Sequence, residues 1–372
     1  MGVEGAAVYS RDESMENKKK ASSSASSRPV TLADIGREAG VSFSIVSRVL
    51  RNRNDRIPDE TRKRVMDVAE RLGYRRNLLI RGVQTGRSMN IGVVVPPVGS
   101  YYSKIVRGIH DELRKNEYCV LLAWNPHNEE DPLNNPELRL IHSLVDRRVD
   151  GIILLPTQSN VSDLYFSEIM ERNIPLVTVD RPLTGVHCDF SGSSDELGAR
   201  LAARHLLERG CRNLVHLAVK SKFAPGQLRE RGFTDECRIM PGVKARTAYL
   251  SEYQTHHAEV AATRVLASAD RPDGVCLASD NLAIGFYRAA KKLGLRIPQD
   301  VSVVGFGNDD RDDELEPPLT SVDQNPFQIG RNAVRMLMDR IGGNGGSAAS
   351  LLADPSLVAR GSVVAGFGQQ NV

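Results

Sequence analysis

The chain has 372 residues, 41% of them hydrophobic and 26% charged. That is the composition of a folded globular protein, with length for two to three domains at roughly 150 residues each. It holds no stretch of about 18 uncharged apolar residues, which excludes a helical membrane span. Its five cysteines, an odd number without a C-x-x-C pair, read as reduced thiols and not as a zinc or redox site. The N-terminus has no apolar h-region, so a cytoplasmic protein without a secretory signal is expected. Net charge is +3, but residues 1–90 carry 18 Lys/Arg against 11 Asp/Glu, and the rest 31 against 35. A head of +7 on a body of −4 suggests a small polyanion-binding module joined to a larger domain of different purpose.

Residues 1–30, with Lys18-Lys19-Lys20 and a Ser/Ala run, hold too little apolar material to fold and read as a basic, disordered tail. Residues 31–74 read as three short helices. Thr31 with Asp34 three positions on makes a helix start, the hydroxyl capping and the carboxylate returning the hydrogen bond. Gly40 ends that helix, because a residue without a Cβ takes the left-handed conformation cheaply. Ser42 opens a second helix whose Val46, Val49 and Leu50 form a core stripe. In the third, Val65, Val68, Ala69 and Leu72 form the stripe and Gly73 closes it. Two short helices around a tight Gly-containing turn predict a helix-turn-helix, with the small residues Gly36 and Ala39 where the helices cross. Its second helix would enter the major groove with its N-terminal residues leading.

From residue 91 short apolar strands alternate with amphipathic helical stretches. The strands are expected at 91–95, 119–123, 151–155, 176–179, 214–218, 274–278 and 301–305, with a last one near 362–365. Continuous Val/Ile/Leu strands joined by helical crossovers predict parallel sheets covered on both faces, and about 280 residues suffice for two such layers. Enzyme motifs are missing: there is no phosphate loop, no G-x-S-x-G elbow and no H-E-x-x-H helix. His256 and His257 are adjacent and point apart on a helix. The acidic run 309–316 lacks calcium-loop spacing and reads as a solvated loop. No cofactor, metal or enzymatic activity is expected.

Several ordered segments are similar to one family. Val30–Gly36, Ala39–Ser42 and Val46–Leu50 resemble the head of the lactose-repressor/galactose-repressor (LacI/GalR) transcription factors. Ile174–Arg181, Gly198–Leu206, Arg229–Phe233, Ala278–Asp280, Pro298–Phe306, Pro317–Val322 and Arg360–Ser362 resemble successive motifs of its effector domain. The resemblance spans about residues 29–365. It implies a homodimeric regulator, acting as a repressor on a palindromic double-stranded DNA operator. An all-α headpiece (31–76) would be followed by a hinge helix (77–90) and a two-lobed, periplasmic-binding-protein-like α/β domain (91–372). Lobe 1 would cover about 91–190 and 325–350, and lobe 2 about 191–321 and 354–372. A small-molecule effector, a sugar or sugar derivative, would sit in the cleft between lobes.

On this resemblance Phe43, Ser44, Ser47 and Arg48 read the operator, Arg48 as a bidentate partner for guanine. Thr31, Ser42 and Ser47 are phosphate contacts, a role that coexists with helix capping. In the hinge, Asn77 and Arg81 fit the family pattern, while Val83 replaces the leucine that wedges into the minor groove and Arg76 replaces a proline. The shorter Val83 predicts less kinking, and the extra arginines a steeper salt dependence. The matching effector positions are Tyr101, Tyr102, Asp180, Arg229, Ser279, Asp280, Asn308 and Gln324. Gly307 stands where the family often has a ligand-binding aspartate, and the segment after Phe233 is short, which predicts a trimmed far lobe. Three other readings stay open on sequence: a soluble sugar-binding receptor, an enzyme on the same α/β domain, and a regulator whose cleft is not gated by a small molecule.

Overall fold

A computed structural model describes residues 30–50, 57–74, 86–96, 99–125, 136–157, 163–183, 185–221 and 223–365. Backbone contacts divide the chain into two units, residues 1–80 and 81–372.

The first unit holds α1 (Leu32–Ala39), α2 (Phe43–Leu50) and α3 (Asp59–Arg71). At the start of α1, Asp34 N donates to Thr31 Oγ1 at 3.4 Å and Thr31 N donates to the Asp34 carboxylate at 2.9 Å, the reciprocal box expected from sequence. Gly40 closes the helix at φ 65°. A Cβ on Gly36 would stand 2.8 Å from the Val41 carbonyl, so the helices cross where only glycine fits. Ile35, Ala39, Val46, Val49, Val65, Val68 and Ala69 make the buried core, with Leu50 and Leu72 packed at its margin. The ion pair of Arg71 with Glu38, 2.7 Å, ties α3 to α1.

The second unit contains two six-stranded sheets. The first lobe holds β1 (Asn90–Val95), α4 (Ser100–Lys115), β2 (Cys119–Trp124), α5 (Pro136–Asp146), β3 (Gly151–Leu154), α6 (Asp163–Glu171), β4 (Leu176–Val179) and β5 (Asp189–Ser193). The second holds α7 (Asp195–Glu208), β6 (Asn213–Val219), α8 (Ala224–Ile239), β7 (Lys244–Leu250), α9 (Thr255–Leu266), β8 (Gly274–Leu277), α10 (Ala283–Lys292), β9 (Ser302–Phe306) and β10 (Thr320–Asp323). The chain then returns through α11 (Pro326–Ile341) and β11 (Ser350–Ala353) to the first sheet, and through β12 (Ser356–Val358) to the second. Strand order is β11-β5-β4-β3-β1-β2 in one sheet and β12-β10-β9-β8-β6-β7 in the other. Among the described strands every pairing is parallel except β10 with β12. The central strands β3, β4, β8 and β9 are buried along their whole length, which is why they read as mostly apolar runs, broken only by Thr178 in β4 and Ser302 at the start of β9.

The backbone crosses between sheets three times: after Ser193, at Gln324-Asn325 and at Asp354-Pro355. Several expectations need correction. β5 belongs wholly to the first sheet, so the first crossing falls at 193 and not 190. β11 likewise extends that lobe to 353. β5 does not announce itself, since Asp-Phe-Ser-Gly-Ser has almost no apolar content, and β11 is only the four residues Ser-Leu-Leu-Ala. The expected strand at 362–365 does not form. Ser362 instead packs beside β9, exchanging hydrogen bonds with Val303 at 2.8 and 2.6 Å. The acidic run is not a solvated loop: residues 310–314 form a 3-10 turn with Asp312 buried. Nor is the far lobe short of strands, because β7 follows α8 directly and its sheet has six.

Candidate DNA-reading face and effector cleft

On the head, α2 buries Val46 and Val49 and turns its other faces outward. Phe43 is 59% exposed, an unusual state for a phenyl side chain, and Ser42, Ser44 and Arg48 are exposed beside it. Ser47 is half-buried on the same helix. Ser42 Oγ accepts from Ile45 N at 3.4 Å, so this hydroxyl caps α2. Thr31 is committed more deeply, its Oγ1 donating to Asp34 at 2.6 Å. The residues expected to read DNA thus share one short stretch and the leading end of one helix. Asn77, Arg81 and Val83 lie outside the described residues.

The second unit contains a cavity of about 700 Å³. Its lining comes from the segments that follow strands β1, β3, β4, β6, β7, β8, β9 and β10, the carboxyl ends where open α/β sheets bind ligands. From the first lobe come Tyr101, Tyr102, Asp180 and Arg181. From the second come Phe223, Arg229, Tyr253, Ser279, Asp280 and Phe306, and Gln324 lies at the second crossing. Seven of the eight expected effector residues therefore meet at one place, from positions 223 residues apart in the chain.

Tyr101 donates its hydroxyl to Asp180 Oδ1 at 2.8 Å, and Tyr102 reaches Oδ2 at 3.4 Å. Burial and the facing Asp180 carboxylate push both phenols above their ordinary range, so they stay protonated donors. Arg229 donates Nε to Asp195 Oδ1 at 2.7 Å and a terminal nitrogen to the Ala278 carbonyl at 2.8 Å. Its guanidinium lies 4.0 Å over the Phe306 ring. Burial raises the Asp195 carboxyl to about 6, against the pull of Arg229, while Asp195 holds the guanidinium in its charged form. Above that pH the two form a buried ion pair. Contacts also join the lobes at the cleft: Lys104 Nζ lies 2.9 Å from the Asn308 carbonyl and 2.8 Å from Asp310, and Arg181 stacks on Phe223 at 4.2 Å.

Asn308 departs from expectation. Its side chain donates to Asp323 at 3.0 Å and accepts from Arg360 at 2.8 Å, so it is used inside the lobe and does not line the cleft. Asp280 does reach the wall, but its carboxylate is engaged by Ser321 Oγ at 2.9 Å and Asp309 N at 3.2 Å. Burial raises both carboxyls, and the facing Asp280 carboxylate adds to it for Asp312, which reaches about 9, so this pair holds a proton at neutral pH. Gly307 at φ 140° leaves open space where a side chain would meet Asp280, 3.0 Å from a Cβ. Ser279 lines the cleft and caps the 3-10 turn of residues 280–282. Asp195, Arg181, Phe223 and Tyr253 were missed in the sequence. Phe306 and Asp195 lie in or beside recognised motifs, but no local pattern marks them as facing a cavity. Among the described residues no group of three His, Cys, Asp or Glu side chains is placed to hold a metal.

A short helix-turn-helix unit and a two-lobed clamshell with a polar cleft define the class: a DNA-binding regulator with a sensing domain. Comparison with known proteins agrees. Residues 31–77 match the family described as bacterial regulatory proteins, lacI family, and residues 203–363 match the periplasmic binding protein-like domain. The HTH-type transcriptional regulator reg1 of Streptomyces lividans is 32% identical over 348 residues, covering 91% of this chain and 98% of that protein. Catabolite control protein A of Priestia megaterium is 29% identical over 324 residues, 83% of this chain and 91% of its own. A lac repressor dimer bound to operator and an anti-inducer superposes with a TM-score of 0.75 at 25% identity, covering 91% and 100% of the two chains. A regulator CelR–cellobiose complex gives 0.64 at 27% identity, covering 90% and 100%. The chain belongs to the LacI family of transcriptional regulators.

Proposed function

We propose that the protein is a homodimeric repressor that binds a palindromic operator and responds to a small polar effector, a sugar or sugar derivative, in the interlobe cleft. The observation that carries this reading is the cleft itself, where a carboxylate with two tyrosine hydroxyls faces a guanidinium stacked on a phenyl ring. Such a set suits a molecule of many hydroxyls: the carboxylate accepts, the guanidinium donates, and the aromatic faces cover C–H surface. The lac repressor–operator dimer and the CelR–cellobiose complex support dimeric operator binding and a sugar ligand by likeness. In this reading residues 31–76 are the headpiece, 77–90 the hinge and 91–372 the effector and dimerisation domain. Phe43, Ser44, Ser47 and Arg48 read bases, and Thr31 and Ser42 approach phosphates. Asn77, Arg81 and Val83 engage the operator centre. Catalysis plays no part, and the work is done in the cytoplasm, where the operator is.

The effector acts only through its different affinity for the two lobe arrangements. The test is selection of bound duplexes from a random pool, followed by fluorescence anisotropy of the selected palindrome with mono- and disaccharides added. Nanomolar binding to a palindrome, changed at least fivefold by one sugar, is expected. Binding with no palindromic preference overturns the operator reading. Tight operator binding indifferent to every sugar favours the regulator whose cleft is not gated by a small molecule.

A further inference from the structure

The buried polar groups of the cleft form one line from lobe to lobe. Asp180 accepts from the Tyr101 hydroxyl at 2.8 Å. That hydroxyl lies 3.4 Å from Gln324 Nε2, and the same nitrogen lies 3.4 Å from Asp195 Oδ1. Asp195 in turn takes Arg229 Nε at 2.7 Å, and Arg229 ends on the Ala278 carbonyl. Asp180 and Tyr101 belong to the first lobe, Asp195 and Arg229 to the second, and Gln324 to the segment that crosses between them.

We propose that Asp195 is a positioning residue of the effector cleft. It fixes the Arg229 guanidinium and, through Gln324 and Tyr101, holds it in register with Asp180, so that the ligand-facing groups of both lobes shift together. This deepens the effector reading above and rests on it.

Three observations carry the proposal. Asp195 is 4% exposed and does not itself line the cavity, so it touches a ligand only through a neighbour. Burying a carboxylate is costly unless it is paired, and its partners are the cleft arginine and the crossing glutamine. Arg229 has Nε and one terminal nitrogen committed and a face against Phe306, while its other terminal nitrogen has no hydrogen bond among the described residues. A guanidinium held this way presents one free edge in one orientation. Asp195 is the first residue of α7, whose positive end favours the carboxylate form. The charged or titratable groups around it are Arg229 from α8, Asp180 beyond β4 and Tyr101 from α4, with Tyr253 facing Arg229. Burial lifts the Asp195 carboxyl to about 6. Effector affinity therefore falls as pH drops through that value, because protonation leaves Arg229 without its charged partner.

The test uses the full chain and two readouts. The first needs no ligand: the side-chain Nε–H resonance of Arg229, identified by its loss in Arg229→Lys. In the wild type it should resist exchange and shift with a midpoint near pH 6. Asp195→Asn should abolish that titration, and Asp195→Glu should restore one if the asparagine variant does not fold. Tyr101→Phe leaves the ion pair in place, yet should move the resonance if the line across the crossing is continuous. A resonance indifferent to pH and to Tyr101→Phe overturns the proposal. The second readout is calorimetry with cellobiose, maltose and ribose as probes. A probe that binds should bind up to about tenfold more weakly at pH 5 than at pH 7.5, and Asp195→Asn should remove that dependence. Binding that does not change with pH in the wild type overturns the proposal. If none of the three sugars binds, the effector reading fails for these probes, and the resonance still decides whether Asp195 positions Arg229.

Discussion

The head and the cleft assemble their working residues in opposite ways. In the head, Ser42, Phe43, Ser44, Ser47 and Arg48 come from seven consecutive positions, and one short helix decides where they all point. In the cleft, Tyr101, Asp180, Arg229 and Gln324 come from separate strand ends, and two sheets with three crossings bring them together. The head exposes its polar and aromatic groups and holds its shape by a small apolar core beneath them. The cleft buries its charges and must pair them. A change in the head should therefore alter binding and spare folding, whereas a change in the cleft should strike both.

Arg229→Ala offers the harshest check on that contrast. It leaves Asp195 buried without its cation, and breaking a buried pair by removing one partner costs about 3–5 kcal/mol. The urea midpoint of the effector domain should fall accordingly at pH 7.5, and the sugar response of operator binding should vanish. Unchanged unfolding would mean that the ion pair is solvated and that the cleft is less closed than its geometry indicates.

pH separates the cleft from the head next. Asp195 is raised to about 6 from an ordinary 3.8, so between those values the folded chain holds a proton that the unfolded chain has released. Stability then decreases as pH rises from about 4 to 6, by an amount on the order of 3 kcal/mol, and is flat for this group above 6. The Asp280–Asp312 pair has the same sign and continues the decrease to higher pH, because its shared proton is lost only near 9. In urea unfolding between pH 4 and 9, Asp195→Asn should flatten the lower part of the curve and Asp312→Asn the upper part. Identical slopes in both variants and the wild type would refute the assignment. All three carboxyls belong to the second unit, so both steps should appear in the unfolding of that unit.

Arg48 turns the comparison toward function. Arg48→Ala on the exposed face of α2 should leave the urea midpoint within experimental scatter and reduce preference for the selected operator by about 1–3 kcal/mol, the worth of one bidentate guanine contact. Competition between the operator and a variant with one guanine replaced measures this. A uniform loss across all sequences would instead make Arg48 a phosphate contact.

What the sequence made legible follows the same division. Local rules were enough for the head: the Thr31–Asp34 box, Gly40 and the Val46/Val49 stripe all depend on neighbours within a few residues. The buried strands β3, β4, β8 and β9 were equally plain, because strands covered on both faces are mostly apolar and these carry Val, Ile and Leu with only Thr178 and Ser302 as polar exceptions. β11, an edge strand of only four residues, was not, and neither were β5 and β10, since these two strands beside a crossing carry Asp, Ser and Thr that pair with distant partners. Asp189 is one of these: it looks like a loop residue and is held 2.7 Å from Arg340. Asn308 shows the same limit inside the site. The family resemblance placed it in the cleft, but its amide was claimed by Asp323 and Arg360, 15 and 52 residues further on. Asp195 was overlooked because a helix-opening aspartate is ordinary, and only the fold places Arg229 against it.

The smallest expected effect tests whether the head's leading residues are architectural or in contact with DNA. Thr31 caps α1 and is also a candidate phosphate contact. Thr31→Ala removes the hydroxyl that accepts from Asp34 N and donates to the Asp34 carboxylate, which should cost the head about 1 kcal/mol. Thr31→Ser keeps that hydroxyl and the cap. If Thr31 only caps, both variants should show the same salt dependence of operator binding as the wild type, with affinity lost only in the alanine variant and in proportion to its lost stability. If it also approaches phosphate as a neutral hydroxyl, the loss of affinity in Thr31→Ala should exceed the stability loss, still without changing the salt slope, because that slope counts cations and not hydroxyls. A changed slope would show that the substitution had moved the basic residues of the head, and that Thr31 holds the head in shape on the operator.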